Sequence, residues 1–594
     1  MPDMAARNIN SDPAFTTGRT PLWLGRDQGA LTHRDRRMFL IACGLLYFAQ
    51  SFAAWAWPAL DGYPAIERWL DPSFLPTDFY TNTTAGYGVD TWQAVLFGTI
   101  QRWTGIHYAL QIAILTALRH VFWPWVLYRF FKYLLRDEDA ALLGVMLGVL
   151  ADFALPNPLG WSWLWGDGSP AMMAVFTMTI AWTEMLRHRA WSGFILLGLA
   201  TIMQPLVAVH GGILAAAIFL FGYSTPEKTA ALKNPANYLG ALIFLTLFAW
   251  QYFSLEPPGT SKLPATEYIN ILVHERHPGD FLLSRMSLRD WADWGLGIGA
   301  ILLMASRIWH KLPLPGVIGG GLAIYALICI AGYVFVELYP LRPVVDLIPF
   351  RTVSIGAPLL LAIIAFFCAQ QMRAGRRVLI GAYAMTFALA GLYGSHLHLP
   401  RILPSVLLFL LTVVGVMLPA TGAAATPARI GQFWRFASVA LLALSIPAAI
   451  ERREEMRMPN EANQHPVYAW AHRTTAPGAR FLIEQNSSSA RYAKAISPQL
   501  MRLVGRRAVV ASRDFPFRDS SLRPWFQTWV VALDHNRPNR VETATVSDLR
   551  AICRTLPYDY VVRAHPLPAN SLPEVARFGP ANGLDELHVY RVCG

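Results

Sequence analysis

The 594-residue chain is 54% hydrophobic and only 15% charged, with a mean hydropathy of +0.34. Its length leaves room for several domains, but this composition excludes an ordinary soluble enzyme. The net charge of +12 would suit a nucleic-acid partner, yet the basic residues gather in alternate short loops between apolar runs, so no nucleic acid is expected.

Residues 1–37 read as a polar, Arg-rich cytoplasmic tail, with no cleavable signal peptide apparent. From Met38 to about Ile450, apolar runs of spanning length recur, with Trp and Tyr near their ends. The region 38–450 is therefore expected to be a polytopic α-helical membrane domain of about 13 transmembrane helices. The first span, Met38–Leu60, follows Arg34, Arg36 and Arg37, which puts the N-terminus in the cytoplasm. Basic residues recur after every second span, at Arg129, Lys132 and Arg136, at Arg187 and Arg189, and at Arg373, Arg376 and Arg377. An odd number of spans then puts the C-terminal region outside the cell membrane, in the periplasm of a bacterial inner-membrane protein.

Three outer segments depart from this bias. The first outer loop, residues 61–105, is acidic, carrying Asp61, Glu67, Asp71, Asp78 and Asp90. Within it "VDTWQAVLFGTIQRW" reads as an amphipathic surface helix. Asp61 sits at the membrane boundary, where partial burial would raise its pKa toward that of a general base. Asp78 lies among aromatics in "PTDFY", while Asp71, before a proline, reads as a turn or cap. A solvated or capping role is the alternative for each. The second segment, Glu267–Trp291, carries His274, Arg276 and His277, groups able to grip a phosphate. His274, His277 and Asp280 match no known ligand spacing; a divalent metal stays open and no metal ligand is assigned. The third, Tyr339–Ser354, carries Arg342 and Arg351 beside helix-breaking prolines; pairing with Glu337 or Asp346 is the alternative. Arg119 and His120 lie deep in the second span, either paired with each other or lining a cavity.

Residues 451–594 change character. "ARFLIEQ", "RRAVVAS", "YDYVVRA" and "ELHVYRV" read as strands, and "SPQLMRLVG" and "TVSDLRAICRTL" as capped helices. A small α/β domain of about 130 residues is expected, in which Cys553 and Cys593 could pair in an oxidising compartment. The chain lacks a phosphate-cradling GxxxxGK[ST] loop, an HExxH and a CxxC pair.

One span, an acidic outer loop with a surface helix, many further spans and an outer C-terminal domain together resemble the GT-C superfamily of membrane glycosyltransferases. The stretches "AIERWLDPSFLPTDFYTN" and "YAWAHRTTAPGARFLIEQ … GRRAVVASRDFPFRDSSLRPW" look like those of bacterial membrane proteins of this type. The resemblance implies a polyprenyl-phosphate-linked sugar as donor and a glycan, lipid or protein as acceptor. It also implies a first-loop Asp as catalytic base: Asp61 by position, or Asp78, since Gly62 stands where some members carry a second acid. Arg276, His277, Arg342, Arg351 and His274 would surround the lipid phosphate. The competing expectations are a lipid-linked glycan flippase or transporter, and an O-antigen ligase or polymerase, whose large outer loop would fall between late spans.

Overall fold

The computed structural model describes residues 31–51, 62–84, 91–150, 170–254, 262–276, 278–391, 402–418, 425–463, 465–484, 497–512, 519–532, 540–579 and 586–593. Asp61 and His277 lie outside these, as do the side chains of Arg351 and Asp280.

Apolar runs without polar interruption become helices because only a helix satisfies every backbone N–H and C=O within the segment. Among the described residues six helices are long and apolar enough to cross a bilayer: Tyr108–Leu135, Pro205–Gly222, Pro235–Phe253, Pro315–Leu338, Ile355–Arg373 and Pro427–Ile450. Four shorter apolar helices accompany them: Ala171–Leu186, Ala190–Met203, Arg377–Leu389 and Ile402–Met417. The Pro235–Phe253 helix is the plainest case for lipid contact, since Tyr238, Leu239, Leu242, Leu245 and Trp250 are all more than half exposed. Such a surface is not tolerated in water but is native in hydrocarbon. The chain is a multi-pass membrane protein.

Proline opens several of these helices, at Pro205, Pro235 and Pro315, where its missing N–H would have had no intrahelical partner. At one end of the bundle, ion pairs join Arg373 to Asp137 and Asp139, Arg36 to Glu138 and Arg435 to Asp35. The indole of Trp434 donates to Asp139 at 3.0 Å. The opposite end carries the C-terminal region and is called the domain side below.

The first helix, α1 (His33–Ser51), runs toward the domain side. Three short helices follow there: α2 (Tyr63–Leu70), α3 (Phe79–Thr84) and α4 (Thr91–Thr104). The α4 helix coincides with the expected surface helix. It closes tightly on α2 because Gly98 has no Cβ, which would otherwise fall 2.4 Å from Trp69 Cδ1. Helix α5 (Tyr108–Leu135) then returns across the bundle.

The last membrane helix does not stop at Ile450. It continues without a break from Pro427 to Asn463. Beyond it, among the described residues, five strands form one mixed sheet: β1 (Arg480–Ile483), β2 (Ala508–Val509), β3 (Tyr560–Arg563), β4 (Glu574–Phe578) and β5 (Leu587–Arg591). Their order across the sheet is β2-β1-β3-β5-β4. β1 is parallel to β2 and β3, while β3–β5 and β5–β4 are antiparallel. Four of these strands fall inside the segments read from sequence; β4 was not anticipated. The two expected helices are Pro498–Leu503, capped by Ser497, and Val546–Thr555, capped by a Thr545–Asp548 capping box. A further helix, Asp519–Ala532, went unread. Cys553 and Cys593 form a disulfide with Cα atoms 6.2 Å apart, inside the usual range.

The sheet does not stand apart from the membrane helices. Tyr63, Ile66 and Phe97 of the first loop and Tyr108 of α5 share one hydrophobic core with Val467, Phe481, Met501 and Val562 of the C-terminal region.

Candidate functional site

The first loop is folded on its own polar contacts. Leu75 adopts a left-handed backbone, φ 48°, an unfavourable conformation for a residue with a side chain. Arg68 holds it there, its Nε donating to Phe74 O at 2.7 Å and its Nη2 to Leu75 O and Asn82 Oδ1, each at 2.8 Å. Asp71 caps the end of α2 and accepts from the Ser73 N–H at 2.9 Å and from its hydroxyl at 2.6 Å. Those bonds hold its carboxyl below the usual carboxylate range. Glu67 accepts from the Tyr108 hydroxyl at 2.8 Å. Both acids serve the loop's own structure.

Asp78 is 1% exposed and stands just before α3. Its Oδ2 accepts from the Thr81 N–H and hydroxyl, both at 2.8 Å, and its Oδ1 from the Val509 N–H at 2.9 Å. The Arg502 Nε reaches both oxygens, at 3.0 and 3.1 Å, and that guanidinium lies 4.7 Å over the Tyr80 ring. Both partners are almost fully buried. A buried carboxylate is stable only when its lone pairs are satisfied, and those of Asp78 are met by Thr81, Val509 and Arg502. The carboxylate fastens the first loop to β2 and to the Pro498–Leu503 helix.

The second and third basic segments meet on the same side. Residues 265–276 form a helix whose last turns, Asn270–Arg276, are π-helical, a distortion common at functional sites. A second π-helical stretch, Tyr333–Leu338, leads into the short helix Arg342–Asp346. Arg342 pairs with Asp519, donates from Nη1 to Leu263 O at 3.0 Å and lies 3.9 Å from Asp346 Oδ2. Its guanidinium stacks 4.2 Å over the Tyr268 ring. Burial raises the Asp346 carboxyl, against the lowering effect of a hydrogen bond from Tyr268 and the charge of Arg342. Glu337, the other acid expected near Arg342, instead accepts from the backbone N–H groups of Leu283 and Ser284.

Arg276 stacks 5.3 Å over Trp525, which lies parallel to Trp529 with ring centres 5.5 Å apart. Arg523 forms a forked pair with Glu267, with Nε 2.6 Å from Oε1. His274 is exposed on this surface. Trp525, Trp529, Phe79, Tyr80, Thr528 and Arg502 line a notch between the first loop and the Asp519–Ala532 helix. Its cavity volume is about 10 Å³, room for one water rather than a sugar.

The structure thus brings together Asp78, Arg276 and Arg342, joined through a helix that sequence reasoning missed. Phe79 of the first loop, Tyr268 and Ile271 of the second segment, and Leu522, Trp525 and Trp529 of that helix share one apolar cluster. The partners missed from sequence are Arg502, Asp519, Trp525 and Tyr268. For Asp519 and Trp525 the local signal is the density of aromatic and arginine residues in "RDFPFRDSSLRPWFQTW". Among the described residues no group of three or more His, Cys, Asp or Glu is placed to hold a metal ion.

No family model matches the sequence, and no curated protein matches it. Among solved structures, the chain is similar to the oligosaccharyltransferase of Archaeoglobus fulgidus in its apo form, with TM-score 0.43 and 13% identity over 89% of this chain and 69% of that one. The same enzyme tethered to an acceptor peptide containing the NVT sequon gives the same values. A third similarity is to the arabinofuranosyltransferase AftD from Mycobacteria, with TM-score 0.44 and 15% identity over 95% of this chain. This chain spans 40% of that protein's length.

Proposed function

We propose that this chain is an integral-membrane glycosyltransferase of the GT-C type, moving a sugar from a polyprenyl-phosphate donor to an acceptor at the outer face of a bacterial inner membrane. One observation carries the reading: the acidic first loop packs through Phe79 against the second basic segment, and the second packs against the third, on a single side of the bundle. Orientation follows from charge. Arg36, Lys132, Arg187 and Arg373, with Arg136 at the end of α5, belong to the opposite end, which the positive-inside bias assigns to the cytoplasm. The domain side then faces the periplasm, where no nucleotide sugar is at hand.

In this reading a first-loop carboxylate takes the proton of the acceptor hydroxyl. The hydroxyl oxygen attacks the anomeric carbon as the bond to the lipid phosphate breaks, and the phosphate leaves with the electron pair. Single displacement inverts the anomeric centre. Asp78 is engaged by four donor groups, so its role is to position the loop, and Asp61 takes the role of base. Arg276 and Arg342, with His274, His277 and Arg351, neutralise charge growing on the departing phosphate. The Arg342–Asp519 pair is the contact to be exchanged when an anionic donor arrives.

The test is transfer from labelled polyprenyl-phosphate sugars by the purified full chain. Asp61→Asn is expected to lower the rate by roughly 10²–10⁴-fold, the scale of general-base catalysis, with donor binding retained. Full activity of Asp61→Asn would remove the base assignment. Donor binding without any transfer by the wild type would favour the flippase reading instead.

A further inference from the structure

One charged side chain inside the bundle has no place in that scheme. Arg119 lies on α5, 11 residues past Tyr108, hence roughly 17 Å down the helix from the domain-side end. It is 6% exposed. Its Nη2 contacts His120 Nε2 at 3.1 Å, and His120 Nδ1 contacts the Thr116 carbonyl at 2.6 Å. The carbonyl can only accept, so Nδ1 carries the proton and Nε2 accepts from Arg119. The imidazole is therefore a neutral partner, and the guanidinium charge is not cancelled. Among the described residues no carboxylate pairs with Arg119. An isolated charge at such depth is costly and marks a binding or transport path.

The groups around it are short of partners too. Tyr47 of α1 stacks on His120 with ring centres 4.7 Å apart, and Gly44 faces Val121 and Trp125, so α1 and α5 run antiparallel. One turn toward the domain side, Gln50 on α1 and Thr116 on α5 come level with each other. Gln50 is 6% exposed and Thr116 1% exposed. Among the described residues, neither polar atom of the Gln50 amide nor the Thr116 hydroxyl has a hydrogen-bond partner. On the outer flank of α5, Leu115, Leu118 and Phe122 bracket Arg119 in sequence and are exposed to lipid.

We propose that Arg119, Gln50 and Thr116 form a membrane-embedded seat for the phosphate of a lipid carrier, whose apolar chain lies along Leu115, Leu118 and Phe122. A cation with neutral hydrogen-bonding neighbours suits a phosphate ester, and the adjoining apolar track suits a lipid rather than free phosphate. The inference rests on the reading that the substrate is lipid-linked, and adds a phosphate contact separate from Arg276 and Arg342.

Equilibrium binding of radiolabelled polyprenyl phosphate to the full chain in phosphatidylcholine nanodiscs tests it, with polyprenol, phosphatidylglycerol and inorganic phosphate as competitors. Arg119→Gln is expected to weaken binding by about 10-fold or more, the scale of a charge-assisted hydrogen bond, and Arg119→Lys by about 3-fold or less. Gln50→Glu supplies the missing counter-ion inside the bundle. It is expected to raise the thermal midpoint without lipid while weakening binding at least as much as Arg119→Gln does, which keeps the test sound if Arg119→Gln fails to fold. Competition by phosphatidylglycerol but not by polyprenol or inorganic phosphate is expected of a lipid-phosphate seat. Competition by inorganic phosphate equal to that by polyprenyl phosphate would overturn the lipid assignment. Wild-type binding by both Arg119→Gln and Gln50→Glu would overturn the seat itself while leaving the transferase reading standing. Arg119-dependent binding with no sugar transfer would do the reverse.

Discussion

Asp78 and Arg502 illustrate how a residue's surroundings decide between chemistry and architecture. Both are buried, and each leaves the other uncompensated if removed. Asp78→Asn or Arg502→Met is expected to cost about 3–5 kcal/mol of stability, read as a lowered thermal midpoint in detergent. The double variant Asp78→Leu/Arg502→Met should cost less than the sum of the two single changes, because no lone buried charge remains. His465 offers a pH test. Its Nδ1 accepts from the Val467 N–H at 3.2 Å, capping the Pro466–Thr474 helix, and burial pushes its pKa from 6.5 down to about 4. Between those two values the unfolded chain binds more protons than the folded one. The cap's contribution is therefore complete above pH 6.5 and is lost as the pH falls toward 4. His465→Asn keeps a capping oxygen without the titration, so its thermal midpoint should fall less than the wild type's over that range.

At the level of elements, legibility tracked how much of each one is buried. Strands β1, β3 and β5 put apolar side chains into the core and could be read from their branched and aromatic residues. β4 is an edge strand, largely exposed and interrupted by a register shift, so its sequence "EVARF" carries little of that pattern. The Asp519–Ala532 helix was hidden by Pro524 within it, since an internal proline ordinarily argues for a break. The disulfide belongs to this scale as well. It joins the helix before β3 to the second residue after β5, closing 40 residues of chain. Replacing both cysteines with alanine is expected to remove about 4 kcal/mol by the loop-entropy relation. The check is whether reductant lowers the melting of the C-terminal region in the wild type and leaves the variant unmoved.

For the molecule as a whole, the alternation of apolar runs and basic loops was plain in the sequence because bilayer thickness imposes it on every span. The meeting of the three segments on the domain side was not. Asp78 and Arg502 are separated by 424 positions, and Arg342 and Asp519 by 177, and no local periodicity reports a contact at such range. What the sequence did carry was the anomaly: guanidinium groups where topology disfavours them, at Arg276 and Arg342, and one inside a span at Arg119.

The unbroken helix Pro427–Asn463 has a mechanical corollary. Its 37 residues measure roughly 55 Å, some 25 Å more than the hydrocarbon it crosses. It is a rod anchored in oil at one end and carrying the sheet at the other, so leaning of the anchored half swings the free half through a wider arc. Thinner membranes make long spans lean. In nanodiscs of short-chain lipid the rate of the proposed sugar transfer should accordingly drop relative to lipids of matched thickness. Fluorescent labels on the first loop and the C-terminal sheet should report a longer separation under the same conditions. An unchanged separation with an unchanged rate would mean that the apolar seam between loop and sheet is stiffer than the rod's leverage.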